Sequence, residues 1–197
     1  MALSEVSICN LALSHLGLFT ITALTDNNQE ARKCALYFDY GRDFVLRDFP
    51  WNFAEKRLSL TEDETIEPIG YDFAYVYPTD CIDARLIYNE VAGGEPIKFV
   101  INVNEDLDAK HILTNEEDAI LIYTARVEDV TLFDPSFDLA FSYYLASLLA
   151  IPLTGDPSKQ QAMIQIYSAY MNAAEAANAS ESESFQEVTN PFIAARG

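Results

Sequence analysis

The sequence predicts an α+β protein: an antiparallel helical bundle from the N- and C-terminal helices, an inserted antiparallel β-sheet, and an extended C-terminal tail. Three observations carry that prediction. Apolar residues recur at helical spacing toward both ends of the 197-residue chain. In the middle the period falls to two, most clearly at Tyr71, Phe73, Tyr75 and Tyr77. Two Asp-Pro pairs, Asp134-Pro135 and Asp156-Pro157, then open new helical patterns. The bundle is assigned to residues 1–50 and 132–180, the β-rich insertion to 51–131, and the tail to 181–197.

The first helix is expected from Ser4, as N-cap, to about Leu16, with Gly17 as its stop. Val6, Cys9, Leu13 and Leu16 lie on one face, which Ile8, Leu11 and Ala12 widen. A second helix is expected from Asp26, with Gln29 completing a capping box. Its packing stripe is Ala31, Cys34, Phe38, Gly41 and Val45, and Gly41 marks close approach of another helix. Pro50 ends it, because proline lacks an N–H and biases Phe49 toward extended angles. The segment Phe49–Phe53 then spends three aromatics and a proline on a junction. Phe49, Pro50, Trp51 and Phe53 are read as the anchor that pins bundle to insertion, since such rings bury large areas.

Within the insertion, a strand at Leu58–Leu60 leads into the aromatic strand Tyr71–Tyr77. Two hairpins are expected, one turning through Gly93-Gly94 and one through Thr114–Asp118, so that neighbours in sequence pair. Beyond Asp134, the residues Phe137, Phe141, Tyr144, Leu145, Leu148 and Leu149 form a buried face. The last helix is expected to run to about Asn178, its stripe being Met163, Ile166, Tyr167, Tyr170, Met171 and Ala174. The tail is acidic to Glu187 and then carries Pro191, Phe192, Ile193 and Arg196, a composition that folds onto a partner rather than alone.

Charge narrows the function classes. Twelve basic residues against 31 acidic ones give a net charge of −19. Grip on a phosphate backbone needs clustered Lys and Arg, so a conventional binder of nucleic acid or anionic membrane is not expected. No apolar run approaches the roughly 20 residues that span a bilayer. The start of the chain has no basic region or cleavage site of a signal peptide. Cys9, Cys34 and Cys81 are odd in number and widely spaced, which reads as three reduced thiols.

Catalytic patterns are scarce. His15 and His111 have no neighbouring Cys, Ser or acid at ligand spacing, and no phosphate loop or nucleophile elbow occurs. Asn102–Asp108 alternates oxygen ligands as calcium loops do. Leu107, however, stands where glycine is required, and Leu113 where the bidentate glutamate belongs. The acidic run Thr61–Glu67 reads as a solvated loop. No enzyme, metal or cofactor is expected.

An ordered set of short motifs nevertheless spans most of the chain. It comprises the helix Ile8–Gly17, the helix Ala31–Arg47 with its Trp51–Ala54 segment, the strand end Tyr77–Cys81, and the strands Ile112–Thr114 and Tyr123–Thr124. In this order the motifs resemble the head-to-tail adaptors of short-tailed bacteriophages, the tail tubular protein A-like family. The resemblance implies a structural virion protein of the phage neck, made in the host cytoplasm and assembled as a dodecameric ring. Its implied partners are the portal protein, a tail nozzle of the tail tubular protein B type, and tail fibres around the joint. DNA would be passing cargo, and no membrane is involved. The tail residues Phe185, Phe192, Ile193 and Arg196 would dock on the portal. The competing reading is an acidic binding protein that mimics DNA or occupies a basic partner, which accounts for the charge but not for the ordered motifs.

Overall fold

A computed structural model of the chain describes residues 4–88, 96–103 and 109–183. Among these are four helices and two small antiparallel sheets. The helices are α1 (Glu5–His15), α2 (Gln29–Asp48), α3 (Pro135–Thr154) and α4 (Pro157–Glu183). The strands are β1 (Glu55–Ser59), β2 (Phe73–Val76), β3 (Cys81–Ile87), β4 (Phe99–Val103), β5 (Lys110–Thr114) and β6 (Ile120–Ala125).

Helix ends follow local chemistry. The Ser4 hydroxyl accepts from the Ser7 N–H, and Gly17 leaves α1 at a φ of +71°. The α2 start is a correction: its N-cap is Asn28, whose Oδ1 accepts from Ala31 N at 2.7 Å. Asp26 instead closes the preceding turn, accepting from the backbone N–H of Thr22 and Ala23 and the Thr22 hydroxyl. With its side chain spent there, it cannot cap a helix two residues later. At the far end of α2, Phe49 adopts φ −144° and ψ 143°, as a residue before proline should. Asp134 and Asp156 each accept from the N–H two residues on, and Gly155 separates α3 from α4 at a φ of +67°.

The core centres on α3, which contacts the other three helices. Phe137, Phe141, Leu145 and Leu149 are fully buried, while Tyr144 and Leu148 are half-buried. A Cβ on Gly41 would stand 3.1 Å from Phe141 Cε2, so the absent side chain lets α2 approach α3. Cys9 and Cys34 meet in this core; their mutual hydrogen bond, helped by burial, pushes the Cys9 thiol up, and both cysteines are free. By length and composition α3 could cross a bilayer, which the sequence reading had not allowed for. Three packed neighbours account for that apolar character without a membrane, since a helix apolar on most sides is a central one. On α4, Tyr167 and Met171 are buried but Ile166 faces water, so the expected stripe is narrower. The helix also runs beyond Asn178 to Glu183.

Strand pairing differs most from expectation. The strands form two sheets, ordered β1-β6-β3 and β2-β5-β4, in place of one sheet of sequence neighbours. The β5–β6 link is a crossover between sheets. Its residues bond outward to other elements: Tyr75 Oη donates to Glu116 O, Asp72 N to Asn115 Oδ1, and Leu60 N to Ala119 O. Asp118 turns the chain at a φ of +53°. Likewise β3 touches the segment just before β4 through the bridge Ile87–Ile97, and the two strands join different sheets. The Gly93-Gly94 turn lies outside the described residues. Between the sheets Tyr75, Ile87, Ile112, Leu121 and Tyr123 form a second core.

One buried group works against this stability. Asp138, on the first turns of α3, is 9% exposed, and its Oδ1 has no hydrogen-bond partner. Burial, with Asp134 nearby, raises its pKa from 3.8 to about 6. A raised carboxyl favours the native state only while protonated, so its contribution falls as pH rises through about 6. Asp138→Asn should therefore raise the unfolding free energy measured in urea at pH 7–8, by on the order of 3 kcal/mol at about 1.4 kcal/mol per pKa unit. At pH 4 the gain should vanish. An equal gain at both pH values would show that the charge is not the cause.

Candidate functional site

Polar and aromatic side chains gather at the junction around Trp51 and in the cleft beside His111, and apolar ones on the outer face of α2.

At the junction, Pro50 stops α2 and a single 3-10 turn, Asn52–Ala54, carries the chain into β1. That geometry drops Trp51 into the helical core at 4% exposure. Its indole N–H donates to Val45 O at 2.9 Å, satisfying a carbonyl near the end of α2. Its own carbonyl accepts from Ala54 N at 3.1 Å and from Arg85 Nη2 at 3.2 Å. Arg85 sits on β3 and also reaches Thr124 and Glu55, so one guanidinium joins the junction to two strand residues, on β6 and β1. Around the indole, Phe49 lies at 4.8 Å and Phe137 at 5.2 Å edge-on, with Phe53 at 6.2 Å. Phe53 in turn contacts Phe133 and Phe137. Phe49 and Phe53 are half-buried and Pro50 is exposed. Of the anchor residues named from sequence, Phe49, Trp51 and Phe53 pack together, and Pro50 stays at the surface. The tail residues Phe185, Phe192, Ile193 and Arg196 lie outside the described residues.

A second link bridges the same joint. Arg42, buried on α2, donates to Asp43, and Asp43 also accepts from Arg126 beyond β6 at 2.8 Å. Beside it, Asp80 accepts from Lys56 Nζ at 2.7 Å and from the Tyr123 hydroxyl at 3.0 Å. Burial works to raise the Asp80 pKa, but those two donors outweigh it and hold the carboxyl below its usual range.

The cleft of about 510 Å³ beside β5 is lined by Asp63, Tyr77, Cys81, Lys110, His111 and Arg126, among others. His111 is buried and its Nε2 lies 3.1 Å from Asp63 Oδ2. Asp63 is held below the normal carboxylate range chiefly by the Thr65 hydroxyl and N–H, then by His111. The acidic run Thr61–Glu67 is therefore tied down at Asp63 and is more than a solvated loop. His15 is likewise engaged: Nε2 lies 3.0 Å from Ser142 Oγ, its ring stacks on Tyr143, and burial lowers its pKa. Among the described residues no group of three His, Cys, Asp or Glu side chains could hold a metal ion. Asn102 and Val103 of the calcium-like run belong to β4, and residues 104–108 lie outside the described chain.

No protein-family model matches the chain, and no curated protein matches its sequence.

The outer face of α2 carries a second apolar row, apart from its buried stripe. Leu36, Tyr40 and Phe44 are spaced by four and form one apolar row, exposed by 62%, 64% and 41%. Phe44 stacks on Tyr144 at 4.4 Å, which extends the row toward α3. The signal was present in the sequence as a second i, i+4, i+8 series opposite the buried one. The Trp51 cluster generates a direct prediction. Trp51→Ala should cost about 3–5 kcal/mol in denaturant unfolding, as expected for an aromatic removed from a packed core. A near-neutral substitution would rule out the anchoring role.

Proposed function

We propose that the chain is a head-to-tail adaptor of the short-tailed-phage type, a structural subunit that forms a ring between portal and tail nozzle. The observation that carries this reading is the exposed row Leu36, Tyr40 and Phe44 on α2. A chain working alone gains nothing from holding such a row in water, whereas a ring subunit buries it against its neighbour. The net charge of −19 supports the same reading. Copies arranged around a channel present an acidic wall that repels DNA and gives it no grip during passage. The motif at Trp51, part of the ordered set behind the resemblance, sits in the helical core, and its backbone carbonyl accepts from Arg85 of β3. No catalytic step is assigned to any residue.

Native mass spectrometry of the chain with the portal protein from the same genome tests the proposal. A ring of about twelve copies on the portal is expected. Leu36→Asp with Tyr40→Asp should keep the circular-dichroism spectrum and lose the ring. A parent chain that stays monomeric beside its portal, or a double variant that assembles like the parent, would overturn it. Tight binding of the monomer to an unrelated basic protein would point to the acidic binding protein instead.

A further inference from the structure

Each three-stranded sheet has two edges, and an open edge is a template for another strand. Three of the four edge strands are protected, each differently. β1 carries Glu55, Lys56 and Arg57, with Lys56 bound to Asp80 and Arg57 to Glu55. β2 is covered by the segment Thr61–Asp63, through Val76 N to Thr61 O and Asp63 N to Ala74 O. β3 is broken by register shifts between Cys81 and Asp83 and between Ala84 and Leu86.

β4 has none of these devices. Its sequence, Phe99-Val100-Ile101-Asn102-Val103, holds no charge and no proline. It pairs with β5 in unbroken register over all five residues, from Phe99 with Thr114 to Val103 with Lys110. Val100, Ile101 and Val103 are 45%, 44% and 40% exposed, so both faces of the strand meet water. On the side away from β5, the neighbouring contact is the Ile87–Ile97 bridge, which ends before Phe99. The outward N–H and C=O groups of β4 are therefore open among the described residues.

We infer that β4 is a strand-addition site, and that its occupant is an extended segment of a different protein, apolar at alternate positions and flanked by Lys or Arg. Alternating side chains follow from the pleat, which places every second residue of an added strand on the same face as the exposed Ile101 and Val103. Basic flanks follow from charge. The chain carries −19, and the exposed acids of the turn after β5, Glu116, Glu117 and Asp118, outnumber the two lysines that flank β4, Lys98 and Lys110. A second copy would bring an equal negative charge to the same edge, and a two-fold β4–β4 pair would close on itself as a dimer. This inference stands apart from the ring assembly on α2, because it concerns another element and another class of partner.

The test uses the full chain and a fluorescein-labelled peptide, Lys-Lys-Val-Thr-Val-Thr-Val-Lys-Lys, followed by fluorescence anisotropy and by amide NMR shifts. Saturable binding is expected, with shift changes confined to β4 and its partner β5. N-methylation of alternate peptide amides should weaken binding by about tenfold or more, because it removes backbone donors and leaves the charge unchanged. Replacing the four lysines by glutamates should weaken it by a similar factor, about tenfold. Three results overturn the inference: no binding of the parent peptide, shifts on β1 or α2 in place of β4, or equal binding of the N-methylated peptide. Concentration-dependent dimers with β4 shifts in the absence of peptide would also overturn it, by identifying a second copy as the occupant.

Discussion

One tryptophan fixes how the two halves of this protein meet. Trp51 donates from its indole to the end of α2 and accepts on its carbonyl from Arg85 of β3, so a single residue is bonded to both units. The rings of Phe49, Phe53 and Phe137 close around its indole and exclude water from the bond to Val45. Burying an indole is favourable only when its N–H finds a partner, and Val45 supplies one. Pro50 makes the geometry possible by halting α2 before the ring must turn inward.

The electrostatic links around the joint follow from the same placement. Once β3 and β6 lie against the end of α2, Arg126 reaches Asp43, and Arg85 can serve Thr124, Glu55 and Trp51 together. Exposed pairs such as Lys56–Asp80 add little individually, but the Arg42–Asp43–Arg126 chain spans two elements and starts from a buried guanidinium. With the joint held, two surfaces stay turned to water: the Leu36–Tyr40–Phe44 row and the β4 edge. Both are places where the chain offers contacts that it does not use itself.

The helices were legible because their signals are local. Ser4, Asp134, Asp156, Gly17 and Gly155 act within a few residues, and the stripe through Gly41 repeats at a helical period. Strand pairing was not legible for the opposite reason. Gly93-Gly94 and Thr114–Asp118 announce turns, but a turn does not say which edge the next strand will join. The β5–β6 link is consumed by bonds to Tyr75, Asp72 and Leu60, partners 40 or more positions away in sequence, and it becomes a crossover. The Asp26 misreading has a similar origin, since one carboxylate can serve one turn only. The Trp51 cluster was visible as an odd composition at a junction. The α2 row was visible as a second four-residue series. The openness of β4 was not, because it depends on how the other three edges are covered.

The central claim is that the Trp51 cluster welds helices and sheets into one cooperative unit that presents those two surfaces at fixed positions. Native-state hydrogen exchange tests it most directly, by comparing buried amides of α3 with those of β6 as denaturant is raised. If the joint is the controlling contact, both sets should converge on one opening free energy and respond together to denaturant. Exchange of the β6 amides through a separate, lower-energy opening while α3 stays protected would contradict the account.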